Sequence, residues 1–365
     1  MADELLYQIA LTLVPNIGDV HAKELINRFD SASNIFKAKR KDIESIEGIG
    51  TIRANSILEF SDFKRAESEI NFIAKYKIKP LFLTDTDYPQ RLLNCYDPPS
   101  LLYYKGSADL NCSKILAIVG TRKNNEYGKS ICEKLITDLA DESILIVSGL
   151  AFGIDTIAHK AAIKNNLKTV GVVAHGLDRI YPSENKSLAR EMIECGGLLS
   201  DFKSDTNPDK QNFPRRNRIV AGMSDAILVI ESGLKGGSLI TAELANSYNR
   251  DVFAFPGRVN DSRSEGCNYL IKNNKAALVT NAKDILQNLG WCEPKKVEKK
   301  QRELFVELSS EERIIMDILQ LDEQIHIDQL YHKCNMSSSM VASILLTLEM
   351  QGLITSLPGK IYKAS

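Results

Sequence analysis

Between residues 114 and 280 the apolar positions fall into short unbroken runs: KILAIVG (114–120), SILIVSG (143–149), KTVGVVAHG (168–176), GLLSDF (197–202), DAILVIES (225–232), DVFAFPG (251–257) and AALVT (276–280). Runs this short, rich in Ile, Val and Leu, suit strands covered on both faces, as in a parallel sheet. The stretches YGKSICEKLITDLA, DTIAHKAAIKNN and TAELANSYN separate several of them and read as helices. Strand alternating with helix predicts an α/β doubly wound, mostly parallel sheet over about 80–290. The flanks have a different texture. Residues 1–75 repeat apolar positions at helical spacing, as in LLYQIALTLV, and are predicted helical. Residues 293–303 (EPKKVEKKQRE) are polar, charged and Pro-containing, and mark a linker drawn here as 291–304. Residues 305–365 return to short helices and finish on a hairpin signal.

Length and composition narrow the function classes. At 365 residues the chain has room for two or three domains. Lys+Arg 46 against Asp+Glu 47 leaves a net charge of −1, so a nucleic-acid surface must be a local patch. The start MADELLYQIA lacks the basic region and long apolar run of a secretory signal, and no apolar run approaches the roughly 18 residues of a membrane span. The 7 Cys are scattered without CxxC spacing and odd in number, which argues against a zinc ribbon or disulfide framework and for the cytoplasm. The 5 His form no HExxH-like cluster, so no metal site is expected.

In a doubly wound sheet, ligands sit outside the carboxyl ends of the strands. The unusual residues collect there. The first run ends in Gly120-Thr121-Arg122, and the second in Ser148-Gly149-Leu150-Ala151-Phe152-Gly153-Ile154-Asp155. The third ends in His175-Gly176-Leu177-Asp178 and leads to Tyr181-Pro182-Ser183-Glu184-Asn185. The fifth ends in Glu231-Ser232-Gly233, followed by Lys235-Gly236-Gly237-Ser238. Gly-rich turns let the backbone approach a ligand closely, and each following helix offers unpaired N–H groups and the positive end of its dipole. One such turn need be no more than a tight connection; several beside Arg and Lys make an oxyanion site suited to phosphates. GTRKNNEYG does not match GxGxxG, and no GxxxxGK P-loop is present, so neither NAD nor ATP is implied and no cofactor is expected. The Arg122 fork suits a phosphate clamp. The segment Phe213-Pro214-Arg215-Arg216-Asn217-Arg218, read as lying just before a strand, makes with Lys203 and Lys210 a basic cluster diluted by Asp205 and Asp209. There the ring of Phe213 can stack a base while arginines hold the backbone.

The motifs AIVGTRKNNEYG, VSGLAFGIDTIAHKAA, VGVVAHGLDRIYPSEN, FPRRNRIVAGMSDAILVIES and KGGSLITAELA, in this order, resemble the core of the DprA/Smf family of DNA-processing proteins. The resemblance implies a Rossmann-like fold that binds single-stranded DNA in a basic pocket at the strand carboxyl ends. It also implies protection of incoming DNA, a homodimer, and loading of the RecA recombinase in natural transformation, with no enzymatic activity. By matching motif it implies phosphate contacts at Gly120, Thr121 and Arg122, with Ser148 and Gly149 at the pocket. Asn185, with Lys186 nearby, comes from the YPxxN loop, and Phe213, Arg216, Asn217 and Arg218 from FPxRNR. The last turn supplies Lys235, Gly236, Gly237 and Ser238.

The flanks carry weaker likenesses. VPNIGDVHAKELI (14–26) and IEGIGTIRANSIL (46–58) both resemble helix–hairpin–helix motifs, with Gly18, Gly48 and Gly50 in the hairpins. Such a turn offers backbone N–H groups to a DNA phosphate without reading bases, although the first copy carries Asp19. SSEERIIMDIL, HIDQLYHKC, SSSMVASILLTLEMQG and LITSLPGKIYKA resemble a winged helix, with Ser309 or Ser310 and Ser337–Ser339 as caps. The third of these helices holds Met340, Val341, Ala342 and Glu349 but no Arg or Lys, which points to protein contact or autoregulation rather than base reading. His326 and His332 read as surface or capping groups. A competing enzymatic reading rests on GGSLITAE, loosely similar to the PGGxGTxxE motif of LOG-type nucleotide phosphoribohydrolases, with Glu243 as the carboxylate that stabilises a cationic sugar.

Overall fold

The computed structural model describes residues 2–291, 308–322, 324–357 and 360–364. The predicted linker beyond Trp291, Cys292 within it, and the Pro358-Gly359 turn lie outside the described residues. The chain divides into two compact units, Met1–Glu293 and Pro294–Ser365.

The first unit opens with six helices: α1 (Ala2–Leu13), α2 (Asp19–Phe29), α3 (Ala32–Lys37), α4 (Arg40–Glu44), α5 (Thr51–Leu58) and α6 (Phe63–Tyr76). Their apolar stripes meet in a core of Ile9, Leu25, Ile35, Ile43 and Ile57. That core also takes Phe82, Leu101 and Tyr103 from the strands that follow, so the helices are packed onto one end of the sheet.

The sheet has nine strands: β1 (Lys79–Phe82), β2 (Leu101–Gly106), β3 (Ile115–Val119), β4 (Leu145–Ser148), β5 (Thr169–Val172), β6 (Gly197–Ser200), β7 (Ala226–Val229), β8 (Asp251–Ala254) and β9 (Ala277–Leu278). Their order is β1-β2-β6-β5-β4-β3-β7-β8-β9. All pairings from β6 to β9 are parallel, whereas β1 and β2 join antiparallel. This is the expected α/β Rossmann-like sheet. The two antiparallel strands are absent from the sequence reading. KPLF begins with Lys and Pro, a composition found at sheet edges.

Helices cover both faces: α7 (Gln90–Leu93), α8 (Glu126–Asp138), α9 (Ile154–Lys164), α10 (Lys186–Cys195), α11 (Asn212–Gly222), α12 (Gly237–Ser247), α13 (Glu265–Lys272) and α14 (Ala282–Asn288). Alternate strand residues serve opposite faces. Ala117, Val119, Ile227 and Val229 pack with Val220 of α11, Ala242 and Ala245 of α12 and Leu270 of α13. Leu116, Ile118 and Leu228 pack with Ile136 of α8, Ala158 of α9 and Ile285 of α14. The segment 213–218 does not simply precede a strand, as its sequence suggested. It forms the first turns of α11, where Pro214 is tolerated because its missing N–H has no helical partner to lose.

The chain runs from β3 through β4 and β5 to β6, then crosses back to place β7 on the other side of β3. Connections therefore diverge between β3 and β7, and a crevice opens at the carboxyl ends of these strands.

The second unit holds α15 (Ser310–Leu321), β10 (Ile325–His326), α16 (Ile327–Cys334), α17 (Ser338–Met350), β11 (Ile354–Leu357) and β12 (Ile361–Ala364). Its sheet has the order β10-β12-β11, all antiparallel, and it closes over Ile315, Leu319, Leu330, Val341 and Leu345. Ser309 and Glu312 form a reciprocal capping box on α15, Ser337 caps α17, and His326 caps α16 through the amide of Asp328.

Candidate nucleic-acid interface

At the switch point the loop after β3 is pinned from two sides. Thr121 N donates to Glu231 O at the end of β7 (2.7 Å), and Ile154 N, at the start of α9, donates to Thr121 O (3.2 Å). Gly153, just before α9, has φ +77°, and a Cβ there would meet the backbone of Thr121 and Arg122. Only glycine allows this turn so close an approach.

From the opposite wall α11 turns Phe213, Arg216 and Asn217 towards the crevice, three positions that fall on one side of a helix. Arg216 is 4% exposed. Its Nη1 donates to the carbonyls of Gly149 and Val172, and its Nε to Asn217 Oδ1 (3.1 Å). Burial pulls its pKa down to about 10, against the pull of Asp155, so it stays a cation at neutral pH. Asp155 is driven the other way: burial raises its pKa, opposed by the Arg216 charge and by the amide of Ala151. A Cβ at Gly149 would occupy the guanidinium's place.

The third wall is the start of α12. Gly236 caps it without a side-chain acceptor, and a Cβ at Gly237 would stand in open space. Ser238 Oγ donates to Ser232 Oγ (2.7 Å). The start of α12, with Gly237 and Ser238 lining the crevice, thus has no side-chain cap at the positive end of the helix dipole.

These walls enclose an open cavity of about 510 Å³ lined by Gly120, Thr121, Arg122, Gly149, Phe213, Arg216, Asn217, Gly236, Gly237 and Ser238. Asp155, Lys210 and Thr241 line it too. Lys210 was visible in the sequence as part of the basic cluster and Asp155 as part of the SGLAFGID turn. Thr241 lay within the GGSLITAE motif but was not singled out as a site residue.

Five expected residues are elsewhere. Ser148 is fully buried and spends its hydroxyl on Ile118 O (2.6 Å), tying β4 to β3. Asn185 is buried and holds the turn after β4 through Leu150 O (3.0 Å) and Thr156 Oγ1 (2.9 Å). Lys186 and Lys235 are exposed and do not line the cavity. Arg218 is the clearest correction. It lies two residues beyond Arg216, about 200° round the helix, and faces away. Its Nη2 meets Asp19 (2.7 Å) and Asp201 (3.2 Å), and its Nη1 meets Asp97. Burial alone would lower its pKa, but these carboxylates raise it above the ordinary arginine value.

Asp19 also accepts from the amide and hydroxyl of Ser100, both at 2.9 Å. The first hairpin thus presents its acidic residue inward to α11 and the sheet. Glu243 is exposed, pairs with Lys275 at 3.3 Å and does not line the cavity, so the phosphoribohydrolase motif lacks its carboxylate there. Among the described residues no group of three or more His, Cys, Asp or Glu is placed to hold a metal ion, and no helix is long and apolar enough to cross a membrane.

The family model for DNA recombination-mediator protein A matches residues 79–290. The chain belongs to that family, the DprA/Smf group. Models for the DprA winged helix domain and for the helix-hairpin-helix motif match 302–360 and 8–70. Protein Smf of Synechocystis is 36% identical over 294 residues, 79% of this chain and 73% of that protein. DNA processing protein DprA of Streptococcus pneumoniae is 43% identical over 210 residues, 58% of this chain and 74% of its own length. The X-ray structure of that DprA superposes with a TM-score of 0.67 at 33% identity, covering 77% of this chain and 97% of that one. DNA processing protein A of Helicobacter pylori, solved for its single-stranded DNA binding mode, has a TM-score of 0.53 at 32% identity over 59% of this chain and 97% of its own.

Proposed function

We propose that this protein binds single-stranded DNA in the cavity between β3, β4, α11 and α12, as a DNA-processing protein of natural transformation and recombination. The observation that carries the reading is the convergence of Arg122, the uncapped start of α12 and the ring of Phe213 on one open cavity at the strand switch point. Uncapped amides and a guanidinium suit a phosphodiester, and an aromatic ring suits an unpaired base. Within this reading 80–290 carries the DNA, 1–75 braces it, and 305–365 makes protein contacts through α17, whose exposed Met340, Leu346 and Met350 include no cation. The family resemblance extends the proposal to a cytoplasmic homodimer that protects incoming strands and loads RecA.

The test is Arg122→Ala. Loss of one charge-assisted contact costs about 1.5–3 kcal/mol, roughly ten- to a hundredfold in affinity for an oligonucleotide by fluorescence anisotropy. The log–log salt slope should shrink by about 0.7, the share of one phosphate on a single strand. A folded variant with unchanged affinity and slope removes the cavity from the DNA path. RecA loading is read separately, from the rate of RecA filament assembly on strands coated with single-strand-binding protein.

A further inference from the structure

A separate cavity of about 380 Å³ lies where the N-terminal helices meet the sheet. It shares no lining residue with the cavity at the strand switch point, although α11 borders both: Asn212 and Arg215 line this one, Phe213, Arg216 and Asn217 the other. Its inner wall is apolar and aromatic. Leu101 and Tyr103, two apart on β2, share one face of the strand and pack with Leu11 and Ile17 of the helical region. Phe202, just past β6, is buried and completes the wall.

Two polar groups lining this cavity lack partners. Tyr103 is 3% exposed, and its hydroxyl forms no hydrogen bond among the described residues. Burial and the Glu69 charge push its pKa up, against Arg65, so the hydroxyl stays protonated and able to donate. Asp201 gives Oδ2 to Arg215 (2.9 Å) and Arg218 (3.2 Å), while its Oδ1 is buried without a donor. Buried polar groups are as a rule hydrogen-bonded, so a free donor and a free acceptor on one cavity call for a ligand. Charge marks the outer side. The carboxylates of Asp19 and Asp201 are matched by Arg218 and Arg215. Lys203 is exposed and forms no ion pair or hydrogen bond among the described residues, which leaves one cation unspent. The half-exposed Arg215 guanidinium lies 5.1 Å from the centre of the Phe202 ring, so cation and aromatic wall adjoin. Gly18 of the first hairpin also lines the cavity, at the positive end of the α2 dipole.

We propose that this cavity binds a nucleoside 5′-monophosphate, with the base against the Tyr103 and Phe202 wall and the phosphate on Lys203 and Arg215. Every nucleobase carries a donor beside an acceptor on its pairing edge, which suits Asp201 and the Tyr103 hydroxyl, and a flat ring suits the apolar wall. A phosphate supplies the anion that Lys203 lacks and offers Arg215 a charge-assisted contact. Small-molecule sites run from about 300 to 1,000 Å³, so a cavity of about 380 Å³ takes one nucleotide and no more. The nucleotide is either free or the phosphorylated end of a strand. The site does not depend on the DNA reading of the switch-point cavity.

The experiment titrates full-length protein by calorimetry with the four deoxynucleoside 5′-monophosphates, with deoxyadenosine and with inorganic phosphate. Wild type, Lys203→Met, Tyr103→Phe and Arg122→Ala are compared, each checked for folding by thermal melting. The expected result is one nucleotide per chain, bound more tightly than the nucleoside or phosphate alone. Lys203→Met should weaken it about tenfold and Tyr103→Phe about two- to tenfold, both with wild-type melting, and Arg122→Ala should leave it unchanged. Absence of binding by all four nucleotides at millimolar concentration overturns the site. So does affinity that neither Lys203→Met nor Tyr103→Phe alters, and so does affinity lost in Arg122→Ala, which puts the nucleotide in the other cavity. Trinucleotides then identify the source by competition in the Arg122→Ala protein. Displacement by the 5′-phosphorylated form alone indicates a strand end, and displacement by neither form a free nucleotide. Equal displacement by the 5′-hydroxyl form means that the phosphate is not recognised and overturns the proposal.

Discussion

Replacing Arg218 by Ala separates two roles that its sequence motif does not distinguish. The side chain is 9% exposed and bridges Asp201, 1% exposed, to Asp19 and Asp97, each 19% exposed. Removing it leaves Asp201 with Arg215 alone as a cationic partner, at 2.9 Å. Stranding a buried ion-pair partner costs about 3–5 kcal/mol, and the partial exposure of Asp19 and Asp97 favours the lower end. For a unit of this size each kcal/mol lowers Tm by about 2–4 °C, so a fall on the order of 10 °C is expected. The salt slope of DNA binding should not move, because no phosphate contact is lost. A phosphate-clamping Arg218 gives the mirror image: stability near wild type, affinity down about 1.5–3 kcal/mol, and a slope smaller by about 0.7. Calorimetry and anisotropy across a salt series decide between them, and that mirror image would refute the reasoning. Arg218→Met combined with Asp201→Asn should recover part of the lost stability, since it removes the stranded charge as well.

Three further outcomes follow from the same geometry. His159 is fully buried, and its imidazole is pushed down to about 3 from 6.5 by burial and by the Arg216 charge. Below pH 6.5 the unfolded chain takes up a proton that the native state refuses, so stability is lost as pH falls, by about 2 kcal/mol between pH 6.5 and 5. Urea unfolding at those two pH values should show this dependence reduced by about one proton in His159→Gln, and an unaltered slope rules out the assignment. Gly149→Ala places a methyl in the space of the Arg216 guanidinium and should cost about 1–3 kcal/mol of stability together with DNA affinity; a neutral variant would mean that Arg216 is not held as described. Glu243→Gln should change neither DNA affinity nor any release of base from nucleoside monophosphates, read by chromatography of the free base.

The sheet and its ligand-binding edge were legible because both depend on local pattern. A run such as ILAIV announces a strand buried on both faces, and the strand-end motifs of a doubly wound fold necessarily gather at one rim. For that reason ten of the named positions line one cavity. The failures have a different cause. Arg216 and Arg218 stand two apart in one motif, and the sequence read them as a pair, but 213–218 is helical and turns them to different faces. Ser148 and Asn185 sit in the right motifs yet spend their polar groups on neighbouring backbone. The edge strand β1 opens on Lys79 and Pro80, without the apolar run that marks the parallel strands.

By itself the sequence determined the fold class, the rim that carries the site and the family, because periodicity and ordered motifs are properties of neighbouring residues. It could not assign a partner to Arg218 or a direction to the first hairpin. Those depend on Asp19, Asp97 and Asp201, up to 199 positions away, which meet only when α2, the 97–100 loop and the end of β6 close around α11. The strength of a charge contact is set by what else shares its burial, and that is decided by tertiary packing.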